Sequence, residues 1–583
     1  MRKLVPTLVF GSTLLVYVAA CSRDATGPSV PLGTCTGETF SLSALEGKIV
    51  SAVDLPCLSV TPDGGTYLIV PQFATDSAAL KAVNFTLTAS TGSATRVIAA
   101  SLKADASFAL PDLGKAQREF EFELRKHEQS VAARIRAHRA QSGPLADQVR
   151  ADLTPPAIGS TRLFQVLADL NGNSFKTDTA ILKYVGMHLL IYQSKNAANP
   201  PNGFTDSQIA SFGNTFDVDL YNIDVQTFGS PSDVDGNGRV IVLLSPVVNH
   251  LATAADCRTQ GYVAGFFYTG DLEASAHSND GEIFYALVPD PSAVYSCAHS
   301  VANVENITPA TFIHEFQHMI SFGQRVIVRG GQPQEKWLDE GLSHIAEELG
   351  SRFYEHRYPA PLQRTFSYQQ FPDSSQGFIN GDLYNSYHFL LDPTSTASND
   401  SASVSDWEGV GSLVQRGGAW LFLRWLGDQE DSTVYGKLDQ TTRDGLANVE
   451  GAAGLPYSTL FGEFALALYT DSLPGIARTS IPPGYRFYSR NLRALYAGLS
   501  AHDGTNFPQA FPLAARSLTP GTSRDEAMLP GTADYYILTA GTSGGAVKLT
   551  FSPTSGNSFD RALNAQVSVF RCPSAAACPL SVP

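Results

Sequence analysis

The sequence predicts an α+β protein in which a mixed sheet packs against a helical lobe, with β-sandwich-like segments at either end. Three observations carry this. Short runs of β-branched and aromatic residues, separated by turn residues, fill residues 37–112 and return over 485–583. Between 155 and 484, strand-like runs give way to segments whose apolar residues recur every three to four positions. At 583 residues the chain is too long for one hydrophobic core. The formal net charge of −15, with no basic patch interleaved with aromatics, excludes a nucleic-acid-binding class.

In chain order, Arg2 and Lys3 precede an apolar run from Leu4 to Ala20. At about 17 residues this run is short for a bilayer crossing and reads as a signal peptide over 1–20. Val18-Ala19-Ala20-Cys21 resembles a bacterial lipoprotein processing box, which implies cleavage before Cys21 and lipid attachment to its thiol. Residues 21–36 would then be a flexible tether holding the protein in the cell envelope, at the outer membrane or cell surface, or releasing it. A plain secretory signal or an uncleaved anchor is the bland alternative. Of seven cysteines, the lipidated one leaves six, and proximity pairs Cys35 with Cys57, Cys257 with Cys297, and Cys572 with Cys578.

Phe40-Ser41-Leu42, Gly65–Pro71 and Val83–Thr88 read as strands of an N-terminal β domain. Lys115 to about residue 141 is charged and helical, a solvated linking helix within a linker over 113–154 that Pro155 and Pro156 end. Arg162–Leu167, Ala180–Val185, His188–Tyr192, Val240–Leu244 and Glu282–Val288 read as strands, and Thr205–Phe216 as a helix. Gly417–Leu426 and Thr459–Leu468 have helical apolar spacing. Asp534–Thr539 and Val547–Phe551 are strands of a C-terminal β domain.

His314-Glu315-Phe316-Gln317-His318 carries the chemistry, set in an apolar stretch from Thr311 to Ile320. On a helix, positions i and i+4 lie one turn apart on one face, so the two imidazoles suit one zinc ion. Glu315 is placed to act as general base on a water at that ion. A catalytic zinc takes three protein ligands and leaves a fourth position open. Downstream, Trp337 to Leu349 reads as a second helix on which Asp339, Glu340, Glu347 and Glu348 compete for the third ligand. Glu340 and Glu347 share a face, while Asp339 and Glu348 point elsewhere by about 100° per residue. Gly341 favours Glu340, since it lets a neighbour or substrate approach closely. Glu347 would support a ligand from behind.

The pair formed by His-Glu-x-x-His and Trp337-Leu338-Asp339-Glu340-Gly341 resembles the gluzincin metalloproteases, which share a thermolysin-like zincin core. The string His-Glu-Phe-Gln-His-Met-Ile is most similar to the hyicolysin family of secreted neutral metallopeptidases. The resemblance covers about residues 155–470. It implies a zinc endopeptidase acting on polypeptides, with His314, His318 and Glu340 as ligands. It also implies that the strand at Gly281–Val288 is an exposed edge on which substrate adds by β-pairing. In thermolysin-like enzymes an Asp stands four residues after the third ligand and bonds a zinc-binding His; here that place holds His344, so His344 or a neighbour must serve. Tyr384, Tyr387 and His388 lie where an oxyanion donor would be sought, and the sequence ranks none of them.

Asp233-Val234-Asp235-Gly236-Asn237-Gly238 resembles the start of a calcium loop through Asp233, Asp235 and Asn237, but the twelfth position is Leu244 instead of Glu. The plain alternative is a tight turn feeding the strand at Val240. Two rival functions stand beside the endopeptidase. An aminopeptidase would need a Gly-x-Met-x-Asn motif, and none of Met1, Met187, Met319 or Met528 sits in one. A surface adhesin with a relic zinc core would not need the four site residues intact.

Overall fold

A computed structural model describes residues 39–580 except 54–56, 77–80, 92–97, 100–113, 143–153, 274, 358–372, 397–400, 408, 543–544 and 556–557. Cys21, Cys35 and the N-terminal targeting run lie outside the described residues.

The site is carried by a six-stranded mixed sheet: β1 (Thr161–Leu167), β2 (Phe175–Val185), β3 (Leu189–Ser194), β4 (Val240–Leu244), β5 (Gly265–Phe267) and β6 (Ile283–Ala286). Its order is β5-β6-β4-β3-β2-β1. The central β4 runs parallel to β3 and β6 and is buried throughout, which its Val-Ile-Val-Leu-Leu sequence requires. β5 pairs antiparallel with β6 and forms the edge. The sequence placed the edge at Gly281–Val288; that strand is instead interior, because the short Gly-Phe-Phe segment folds back along it.

Five helices matter for the site: α1 (Lys115–Ser142), α2 (Val301–Phe322), α3 (Lys336–Arg357), α4 (Asp373–Leu391) and α5 (Leu413–Glu430). α2 starts at Ser300, whose hydroxyl accepts from the Asn303 N–H. It lies on the sheet through Phe312, packed edge-to-face on Phe284 with ring centroids 4.8 Å apart. α3 lies against α2 and α5. Gly341 makes this last approach close, since a Cβ there would meet Leu423 and Ala419 of α5. The neighbour that Gly341 admits is therefore a helix of the lobe.

The charged segment expected as a solvated linking helix is α1, and one face of it is buried while the other is exposed. Phe120, Leu124, Val131 and Ile135 recur on one face and are buried in the main core. Phe120 packs edge-to-face on Phe266 of β5, with centroids 4.9 Å apart. Its charges mislead because several are buried in pairs instead of facing water.

The two β segments expected as separate flanking domains share both of their sheets. Val547–Pro553 pairs with Cys57–Val60 and with Val83–Ser90, and Thr522–Met528 pairs with Val83–Ser90. In the second sheet, Ala565–Arg571 sits between Gly47–Ser51 and Thr66–Phe73. The two sheets enclose one core containing Tyr67, Ile69, Phe73, Phe85, Leu87, Phe551 and Val569. Leu68 and Val70, on the other face of Thr66–Phe73, join the main core instead. That strand is buried on both faces, which explains its continuous apolar run. Ser568 Oγ and Tyr535 Oη both bond backbone carbonyls of the helix Tyr457–Thr470, tying the sandwich to the helical lobe. Among the described residues no helix is long and apolar enough to cross a membrane.

Candidate metal centre

α2 and α3 bring three buried donors together. His314 Nε2 and His318 Nε2 lie 3.2 Å apart. Glu340 Oε2 is 3.7 Å from His314 Nε2, and Glu340 Oε1 is 3.9 Å from His318 Nε2. Ligand atoms about 2.0–2.1 Å from a tetrahedral zinc are themselves separated by roughly 3.3 Å, so the two imidazole nitrogens already stand at that spacing and the carboxylate lies a few tenths of an ångström beyond it. Glu340 is 1% exposed, and its carboxylate faces the two imidazoles and the Arg416 guanidinium, whose Nη1 is 3.0 Å from Oε2. A buried carboxylate is costly unless charged groups face it, and a cation between it and two imidazoles would add to the compensation that Arg416 gives. The donor set therefore fits a divalent zinc-like ion.

Each imidazole is braced through its other nitrogen. Glu347 Oε1 lies 2.6 Å from His314 Nδ1, and Asp339 Oδ2 lies 3.0 Å from His318 Nδ1. Such contacts hold the Nδ1–H tautomer and leave Nε2 free as the ligand atom. Ser343 Oγ, 3.2 Å from the His318 ring nitrogens, donates to Gln317 Oε1, and Gln317 donates to Asp439. Burial disfavours the imidazolium of His318, yet Asp339 and Glu340 outweigh it and push that pKa up to about 9. A metal must displace that proton to bind.

Glu315 is 5% exposed and close enough to His318 and His314 for their charges to act on it. Its Oε2 accepts the Phe267 N–H of edge strand β5 at 2.9 Å. Burial raises its pKa, partly opposed by His318 and His314.

Of the two residues expected to brace ligands, Glu347 contacts His314 directly. His344 stands one step further out, 3.2 Å from Glu347 and 2.8 Å from Asp382 of α4. Glu347 and Asp382 overcome burial and lift the His344 pKa to about 10. Asp339 was missed as a brace. Its rotation of about 100° away from Glu340 takes it off the metal side and onto the far nitrogen of His318. The available signal was an acidic residue directly preceding Glu340. Arg416 of α5, whose Nη1 is 3.0 Å from Glu340 Oε2, had no local signal at all.

The other candidates fall elsewhere. Asp233 and Asp235 meet Glu282, from the start of β6, with one oxygen of each within 4.8 Å of the others. The turn already uses part of this set, since Asp233 Oδ1 accepts from Gly238 N and Asp235 from Asn237 N and Nδ2. Tyr387 is buried and its hydroxyl accepts the Gln509 N–H, while Tyr384 and His388 pack on one another. Cys257–Cys297 and Cys572–Cys578 are disulfides, as proximity suggested.

No protein-family model matches the chain. A stretch of 210 residues is 26% identical to the neutral metalloprotease ShpI of Staphylococcus hyicus, covering 35% of this chain and 44% of that relative. The chain thus spans less than half of that relative's length, and over about a third of its own length it is similar to a metalloprotease.

Proposed function

We propose that this protein is a zinc-dependent endopeptidase of the gluzincin kind, similar to the hyicolysin family, exported from a bacterial cell and lipid-anchored through Cys21. One observation carries the catalytic part: ligand atoms of His314, His318 and the buried Glu340 converge within 4.8 Å of one another, beside the buried Glu315. His314, His318 and Glu340 would hold zinc. When bound, zinc lowers the pKa of a water in its open position toward about 7 and polarises the scissile carbonyl. Glu315 keeps one oxygen on the Phe267 N–H, which orients the carboxylate, and leaves the other to take the attacking water's proton and pass it to the leaving amine. Burial raises the Glu315 pKa toward the operating pH, as a base that must later act as an acid requires. Asp339 and Glu347 hold the imidazoles in the ligating tautomer.

The test is cleavage of casein by the purified chain, its loss on chelation, and its return with added zinc. Internal fragments, not free terminal amino acids, would separate endopeptidase from aminopeptidase. Glu315→Gln should bind zinc yet keep less than a tenth of wild-type turnover. Zinc binding with no hydrolysis by the wild-type chain would sink the enzyme reading in favour of a binding lipoprotein.

A further inference from the structure

Helix α1 precedes every residue of the candidate metal centre, and its composition is that of a surface helix. Three of its charged side chains are nevertheless buried against the centre: Glu121, Arg125 and Glu128 are 5%, 7% and 5% exposed. Burying charges is unfavourable unless each is paired, so these pairs are specific. Arg125 Nη1 bonds Glu128 and lies 3.2 Å from Asp339 Oδ2. That same Asp339 oxygen faces His318 Nδ1 at 3.0 Å. One turn earlier on the same face of α1, Glu121 accepts from Arg416 Nη2. Arg416 Nη1 in turn faces Glu340 Oε2 at 3.0 Å. Two relays thus leave α1 one turn apart and pass through consecutive residues of α3, Asp339 and Glu340. One runs Arg125–Asp339–His318 and the other Glu121–Arg416–Glu340.

Asp339 and Glu340 are 3% and 1% exposed, so the groups packed against each carboxylate fix where it points. Burying a carboxylate is costly unless charged or polar groups face it. The guanidinium within ion-pair distance of Asp339, on the side away from His318, is Arg125 of α1. Arg416 comes from α5, but it is aimed by Glu121. On the zinc reading above, we propose that α1 is a working part of the metal centre, with Arg125 and Glu121 as positioning residues that orient Asp339 and Arg416 and so set the affinity for a divalent zinc-like cation. The apolar face of α1 would hold the helix in place, while the two relays act on the ligands.

The experiment uses the full chain stripped of metal, titrated with Zn2+ against a chromophoric chelator, with circular dichroism and thermal melting on every variant. Arg125→Gln and Glu121→Gln should each weaken Zn2+ binding by about 10- to 100-fold, the range for groups that orient ligands. Arg125→Lys, which keeps the charge, should recover part of the loss. Leu124→Ala loosens the same helix without touching either relay; it should lower the melting temperature and leave Zn2+ affinity within about threefold. Should Arg125→Gln fail to fold, the charge-balanced Arg125→Gln/Glu128→Gln pair carries the same expectation. Wild-type Zn2+ affinity in the relay variants would overturn the inference, as would an equal loss in Leu124→Ala. Either result leaves the zinc reading intact, whereas a wild-type chain that binds no Zn2+ would remove both.

Discussion

On the zinc reading, truncating Glu340 to alanine would remove one of three donors from a site that keeps a fourth position open. Zinc sites with four protein ligands bind by about 10–16 kcal/mol at neutral pH, so one ligand carries roughly 3 kcal/mol, and Kd should rise by about 150-fold. The structure says why the loss should be local. Arg416, which faces Glu340, keeps its partner Glu121 and also bonds the Val410 carbonyl, so truncation leaves no orphaned charge. Glu347→Ala is the paired control. It removes the 2.6 Å contact to His314 Nδ1 but leaves Nε2 free to ligate, so the loss should be about 10- to 100-fold. Chelator-competition titration of metal-stripped protein, with metal content of the purified variants, measures both. Zinc retained by Glu340→Ala within about tenfold of wild-type Kd would refute the ligand assignment, as would a larger loss in Glu347→Ala.

Other perturbations test other parts of the structure. Burial raises the pKa of Asp271, just beyond edge strand β5, from 3.8 to about 7, against hydrogen bonds from Tyr285 and Asn279. A pKa raised in the folded state gives stability that is complete below 3.8 and lost as pH climbs through about 7. The ceiling is roughly 4 kcal/mol. Asp271→Asn should flatten that part of the stability-versus-pH curve in denaturant titrations, and an unchanged slope between pH 4 and 7 would count against it. Gly417 lets α5 lie directly on α4, where a Cβ would run into the backbone of Asn385 and Ser386. Gly417→Ala should therefore cost about 1–3 kcal/mol in chemical denaturation. Cys21→Ala should leave the protein soluble or unprocessed on membrane fractionation; unchanged membrane association would point to an uncleaved helical anchor.

Much of this protein is legible in its sequence because the relevant physics is local. The spacing from His314 to His318 places two imidazoles on one helical face wherever that helix lies. Val240–Leu244 has to be an interior strand because all five residues are apolar, and the structure gives those bounds. Thr205 and Gln208 close a capping box three residues apart, so the helix starts where the sequence expects. The sequence also separates Glu340 from Asp339, because the turn between neighbours is a property of any α-helix.

What it does not contain is the pairing of distant segments. Strands near residues 60 and 550 share a sheet because each presents an apolar face that the other covers, and backbone hydrogen bonds carry no address. The edge of the site sheet is decided by whichever segment last folds back, here Gly265–Phe267. The clearest case is α1, where Glu121, Arg125 and Glu128 look like a solvated face. Whether a charge faces water or a buried counter-charge depends on residues more than 200 positions away, Asp339 and Arg416, and so on a geometry that exists only once the chain has folded.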